Sequence, residues 1–281
     1  MRAGVVAGVL LALLLLLPVD AMAGDASPDP SAAEAAEAEK PPVLPAPRAV
    51  DMPILVYHHV VPGHPDSVLF VTPESFEQHL GYLNDNGYRG VSFDDLADCL
   101  EFGVPLPDRP VIITFDDGWE NQFQYAFPLL QKYGFGATFF VVTDYVDRPN
   151  FMTTDELKTM ISAGMTIGSH SRSHPPLSAI GNPLRLKDEI AGSKAWLEER
   201  LGVPVDAFAY PYGSYTAAVV AAVRAAGYRT ARTVDKGARE TADQLETLPA
   251  LLFPTYLNHY RDKVELAAGE TRRKPGPPTP R

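Results

Sequence analysis

From Met52 onward, short apolar runs alternate with longer amphipathic stretches. The apolar runs predict strands over 54–57, 90–92, 111–115, 137–142, 165–169, 207–211, 228–233 and 248–253. The amphipathic stretches predict helices over 73–86, 94–102, 122–133, 154–163, 184–201 and 215–226. Thr72-Pro73 and the run from Thr153 to Glu156 have the chemistry of helix starts, and Gly87, Gly134, Gly164, Gly202 and Gly227 stand where helices should stop. Repeated β-then-α units call for a parallel sheet covered by helices. Seven or eight of them in about 210 residues predict an α/β fold closed into a small barrel rather than an open sheet.

The ends of the chain break this pattern. Residues 1–23 read as an export signal: Arg2 gives a positive start, 3–17 is apolar, and Ala21-Met22-Ala23 is a small-residue cleavage site before Gly24. The apolar stretch is short for a membrane span; an uncleaved anchor is the alternative and would be the chain's membrane contact. Residues 24–50, rich in Ala, Glu and Pro, read as a disordered spacer, 51–270 as the folded domain, and 271–281 as a basic disordered tail. The net charge of −11 divides into −3 for the spacer, +4 for the tail and −12 for 51–270. So acidic a domain argues against nucleic acid as a partner. The single Cys99 allows no internal disulfide, so an exported domain must draw its stability from its core, with or without a metal. The expected location is periplasmic or extracellular.

Candidate chemistry collects where predicted strands end. The buried run 111–115 stops in Asp116-Asp117-Gly118. An Asp-Asp-Gly is common turn punctuation, but two adjacent carboxylates at a strand end also suit a cation. The strand 165–169 runs into His170-Ser171-Arg172-Ser173-His174, whose histidines are four apart, and Pro175-Pro176 confine the segment to a tight loop or one turn. Two histidines and a carboxylate form the ligand set of a catalytic zinc-type site that keeps a position open. A third strand leads to Tyr210-Pro211-Tyr212-Gly213, where aromatic rings can stack on sugars and a backbone N–H can face a developing oxyanion. The first strand ends in His58-His59.

Together, Thr114-Phe115-Asp116-Asp117-Gly118, His170-Ser171-x-x-His174 and Tyr210-Pro211-Tyr212-Gly213 resemble the polysaccharide deacetylases of carbohydrate esterase family 4 over roughly residues 52–256. The resemblance implies a distorted (β/α)7-8 barrel and metal-dependent removal of acetyl groups from a glycan. It makes Asp116 the general base, Asp117, His170 and His174 the metal ligands, and Tyr212, with Tyr210 and Pro211, the oxyanion and substrate-binding segment. Zinc is the expected metal, with cobalt, nickel or iron as alternatives. Tyr57-His58-His59 looks most like exopolysaccharide deacetylases acting on poly-N-acetylglucosamine, in which the acid histidine lies on the first strand, here His58. His259, in a Leu-x-His sequence, is the alternative acid. Many members carry an Arg where this chain has Ala209, and the acidic fourth motif that partners it is not apparent; Arg232 is a candidate substitute for orienting Asp116. An acetylated polysaccharide is the implied partner, with exopolysaccharide-export machinery a further one. A peptidoglycan or chitin-type deacetylase, or a glycan-binding module without turnover, are the alternative readings.

Overall fold

Strand β6 (Pro110–Phe115) lies inside the sheet, its residues from Val111 to Phe115 almost wholly buried. The computed structural model that shows this describes residues 49–252 and 257–269. The expected signal 1–23, nearly all of the spacer 24–50, the tail 271–281 and the side chain of His259 lie outside the described residues.

Before β6 come β1 (Val50–Asp51), β2 (Ile54–Tyr57), β3 (His59–Val60), β4 (Phe70–Val71), α1 (Pro73–Asp85), β5 (Arg89–Gly90) and α2 (Phe93–Phe102). After it, α3 (Phe127–Tyr133), β7 (Thr138–Val141), α4 (Thr154–Ser162), β8 (Thr166–Ser169), α5 (Pro183–Lys187), α6 (Ser193–Leu201), β9 (Ala207–Ala209) and α7 (Ala217–Ala225) continue the alternation. The chain then forms β10 (Thr230–Arg232), β11 (Arg239–Glu240), β12 (Leu251–Leu252) and α8 (Leu257–Ala267). Thr72 caps α1 through Ser75 N, and Thr153 and Glu156 form a reciprocal capping box on α4, as their sequence predicts.

The main sheet runs β10-β9-β8-β7-β6-β2-β12, parallel throughout, with β5 paired to the start of β6. It is curled in the manner of a distorted barrel. Register follows side-chain alternation: Leu55 sits beside Ile113 and Tyr57 beside Phe115. Leu55, Tyr57, Ile113 and Phe115 pack with residues of α1, α3 and α4, whereas Ile54, Val56, Ile112, Phe140 and Ala209 form a second core with α2. That split is what period-two strands with both faces buried must produce. The stretch 248–252 links the two edges: Leu248 exchanges backbone bonds with Ala231 and Thr233, and Leu251–Leu252 pair with β2.

Two expected helices are not continuous. Residues 122–133 and 184–201 each contain a π turn, at Gln122–Ala126 and Asp188–Gly192. The extra residue in such a turn re-aims neighbouring side chains, and Gln122 is fully buried. The third expected strand of the site is also shorter than 207–211: Tyr210 to Gly213 turn out of the sheet, with Tyr212 at φ 59°. Pro211 cannot donate to a ladder, which ends the strand there.

Candidate active site

All main-sheet strands point the same way, so their C-terminal ends share one rim. Asp116 and Asp117 follow β6, His170 follows β8, Arg232 ends β10 and His58 follows β2. Ligand sites of α/β sheets form at this end.

Asp117, His170 and His174 converge. The Nε2 of His174 lies 3.2 Å from that of His170 and 3.3 Å from Asp117 Oδ1, and His170 Nε2 lies 3.7 Å from the same oxygen. This spacing is produced by a loop, not by a helical turn. Ser171 and His174 both adopt left-handed backbone, at φ 66° and 61°, and Ser171 Oγ accepts from His174 N. Asp117 is left-handed too, at φ 72°, and so turns away from the line of the strand that Asp116 continues. Three non-glycine residues in that region around one cluster is the strain expected of a site held by its surroundings.

The donor set suits a divalent metal. His170 Nδ1 bonds the carbonyl of Ala209 at 2.8 Å, which fixes Nδ1 as the protonated nitrogen and leaves Nε2 as the donor. Burial holds the His170 pKa down to about 4 and lowers that of His174 as well, so both imidazoles are neutral at pH 7, as a metal ligand must be. Trp119 Nε1 donates to Asp117 Oδ2 at 3.0 Å and leaves Oδ1 toward the histidines. One nitrogen from each histidine and a carboxylate oxygen lie within 4.8 Å of one another.

Asp116 is separate from this group in its surroundings. It is buried, and its Oδ1 accepts from the wholly buried Arg232 Nη2. Its Oδ2 lies 3.7 Å from His58 Nε2. Burial pushes the Asp116 carboxyl up, but Arg232, His170 and His58 outweigh it and hold the group below the usual carboxylate range. Arg232 therefore stands where the Ala209 position offers no cation. Its guanidinium also lies over the Phe140 ring, 5.1 Å from the centroid.

Tyr210 and Pro211 are buried, and the Tyr210 hydroxyl donates to the carbonyl of Glu246. Neither offers a side chain to a glycan, which corrects the sugar-stacking expectation for Tyr210. Tyr212 is 68% exposed and its ring meets that of His174 edge-on at 4.6 Å. The left-handed turn is what puts one tyrosine inside and its neighbour-but-one outside.

Two further residues at the site are not among those the sequence motifs single out. The side-chain amide of Gln122 donates to the carbonyls of His58 and Asp116, at 2.8 and 2.6 Å, and joins the ends of β2 and β6. Trp119 orients Asp117 and borders a cavity of about 450 Å³ that shares Asp117 and His174 with the metal cluster and also takes in Phe151, Tyr145 and Arg148. An indole directly after Asp-Asp-Gly is a signal in the sequence; Gln122 offers none. A wider depression of about 720 Å³, bordered by Glu77, Tyr82, Asp85 and Glu265, includes none of the site residues.

The polysaccharide deacetylase family profile matches residues 103–231, which hold both aspartates, both histidines and Tyr212. A polysaccharide deacetylase of Bacillus cereus, BC0361, superposes with a TM-score of 0.66 at 30% identity, covering 76% of this chain and 68% of its own. The chain belongs to the polysaccharide deacetylase family. The Streptococcus pyogenes deacetylase PplD, solved with acetate, superposes with a TM-score of 0.72 at 26% identity over 76% of this chain and 98% of PplD. The Bacillus subtilis protein YxkH is 31% identical over 187 residues, 66% of each chain. The poly-β-1,6-N-acetyl-D-glucosamine N-deacetylase of Escherichia coli K12 is 23% identical over 225 residues, which cover 65% of this chain but only 33% of the enzyme. Membership makes the chain a carbon–nitrogen hydrolase acting on acetylated polysaccharide, with an Asp-His-His cluster fit for its metal.

Proposed function

We propose that this deacetylase removes N-acetyl groups from an N-acetylglucosamine glycan outside the cytoplasm, with a β-1,6-linked exopolysaccharide as the favoured polymer. The observation that carries the chemistry is the row Arg232–Asp116–His58 beside the metal cluster. The match to the E. coli enzyme supports the polymer, and the apolar stretch at the start of the chain supports the location.

A divalent metal held by Asp117, His170 and His174 would polarise the acetyl carbonyl and make a water more acidic. Asp116, kept ionised by Arg232, takes the proton from the attacking water. The Tyr212 backbone N–H donates to the carbonyl oxygen as it gains negative charge. His58 gives a proton to the departing amine, without which an amine is a poor leaving group. Acetate and a glucosamine unit leave.

The test is acetate release by the full chain from β-1,6- and β-1,4-linked N-acetylglucosamine oligomers, with divalent metal or with chelator. Chelator-sensitive release that is faster on the β-1,6 oligomer, and is lost in His58→Ala, is the expected result. Faster release from the β-1,4 oligomer would replace the exopolysaccharide with a cell-wall or chitin-type chain. Unchanged rates in His58→Ala would remove that residue from the acid role.

A further inference from the structure

The cavity beside the metal cluster has two kinds of wall. One is aromatic: His59, Trp119, Phe151 and Tyr145 stack in a column, with centroids 4.2, 4.4 and 4.7 Å apart, and the ring edges of the last three border the cavity. Each of these rings is only part-buried. The other is a single fixed cation, Arg148, which is exposed and makes no ion pair among the described residues. Its lack of a partner is not for want of nearby acids. Asp147 spends both carboxylate oxygens on the backbone and hydroxyl of Thr154 at 2.7 and 2.8 Å, and Asp144 pairs with Arg172 at 3.3 Å. Asp117 is committed to Trp119 and the histidines.

The loop that carries Arg148 is also fixed in place. Met152 N bonds the carbonyl of Gly118, Glu120 N bonds that of Asn150, and Trp119 pairs with Phe151 as an antiparallel bridge. Asp147 and Asn150 hold left-handed turns at φ 65° and 71° on either side. Arg148 is thus tied, through its own loop, to the segment that supplies Asp117.

We propose that this cavity recognises a glycan bearing a carboxylate within about one sugar residue of the acetyl group, the sugar against the exposed ring edges of Trp119, Phe151 and Tyr145 and the carboxylate on Arg148. A planar guanidinium matches a carboxylate through two parallel bonds, and part-buried aromatic edges give apolar area for a pyranose to cover. The inference rests on the deacetylase reading and narrows its substrate. The carboxylate has two possible sources, an acidic substituent esterified to an N-acetylglucosamine homopolymer or an acidic sugar in a heteropolymer. Either meets the same charge. A neighbouring glucosamine that already carries an ammonium is disfavoured by it.

The experiment reads binding, so that it does not depend on turnover. The chain has two tryptophans, and Trp196 lies away from this cavity, on α6 under Arg200. In a Trp196→Phe background, Trp119 fluorescence follows titration of the full chain, in chelator to arrest hydrolysis, with three tetrasaccharides. These are an unsubstituted β-1,6 N-acetylglucosamine oligomer, its succinyl half-ester, and an alternating N-acetylglucosamine–N-acetylmuramic acid oligomer. At least one carboxylated ligand should bind about fivefold tighter than the neutral one, as expected for a partly exposed ion pair. The preference should vanish in Arg148→Gln, invert in Arg148→Glu, and shrink at high salt. Which carboxylated ligand gains identifies the source. Equal binding of all three, or a preference that survives Arg148→Glu, overturns the proposal. Absence of chelator-sensitive acetate release from every oligomer would instead overturn the deacetylase reading, and the binding result would still decide Arg148.

Discussion

Arg232 and Asp116 form a buried ion pair in which each charge depends on the other. Removing one member of such a pair costs about 3–5 kcal/mol because the remaining charge has no counterpart. Arg232→Ala should therefore lower stability by that order in urea titration. Because Arg232 holds the Asp116 carboxyl low, its loss raises the pKa of the proposed base. The acid limb of the kcat/KM profile then moves to higher pH, and Arg232→Lys should restore part of the shift. A purely structural arginine would change stability and leave the limb in place. Metal affinity, measured by calorimetry, should fall far less than in Asp117→Ala, where a ligand is lost.

At the scale of elements, the site depends on how closely β7 and β8 approach. Gly168 of β8 faces Phe140 of β7, and a Cβ at that position would collide with the ring. Phe140 in turn lies beneath the Arg232 guanidinium. Gly168→Ala should cost about 1–3 kcal/mol by overpacking and, by displacing Phe140 against Arg232, should reduce kcat more than it raises KM. A stability loss with unchanged kcat would show that the ring moves away from Arg232. Gly118 is constrained similarly, with φ 81° and Val141 Cγ1 3.1 Å from any added Cβ. The sequence made these strands legible because a parallel strand buried on both faces is a short apolar run that ends abruptly in polar residues. It did not reveal the π turns, since no residue type in 122–133 or 184–201 marks where the extra backbone residue is inserted.

For the whole molecule, the notable cost is Glu240. It is fully buried in β11, both carboxylate oxygens lack a hydrogen-bond partner among the described residues, and burial together with Asp51 pushes its pKa up to about 9. Below the unfolded-state value both states hold the proton, so its contribution does not vary with pH there. As pH rises from about 4.5 toward 9, the unfolded chain loses the proton while the folded chain keeps it, and stability falls. Glu240→Gln should raise the Tm at pH 8 and change it little at pH 4.5. An equal gain at both values would mean that the group is not protonated in the fold.

The sequence by itself determined the alternation of strands and helices and the caps, and it marked the Asp116-Asp117 and His170/His174 segments as candidate metal ligands, with Asp117 chosen through the family resemblance. These are local signals: burial sets an apolar period, a cap needs its hydroxyl at one position, and metal-binding side chains sit where strands end. The tertiary structure decided which distant residues reach the site, among them Arg232, which the sequence offered only as a candidate partner of Asp116. Arg232 reaches Asp116 across 116 positions because β10 curls toward β6. Gln122 joins His58 to Asp116, Tyr210 turns inward while Tyr212 turns out, and Arg148 comes beside the metal cluster through a loop pinned to Gly118 and Glu120. The Arg232–Asp116, Gln122–His58 and Arg148 placements depend on contacts between segments far apart in the chain, and the order of residues carries no local energy that specifies such a contact before the sheet has closed around it.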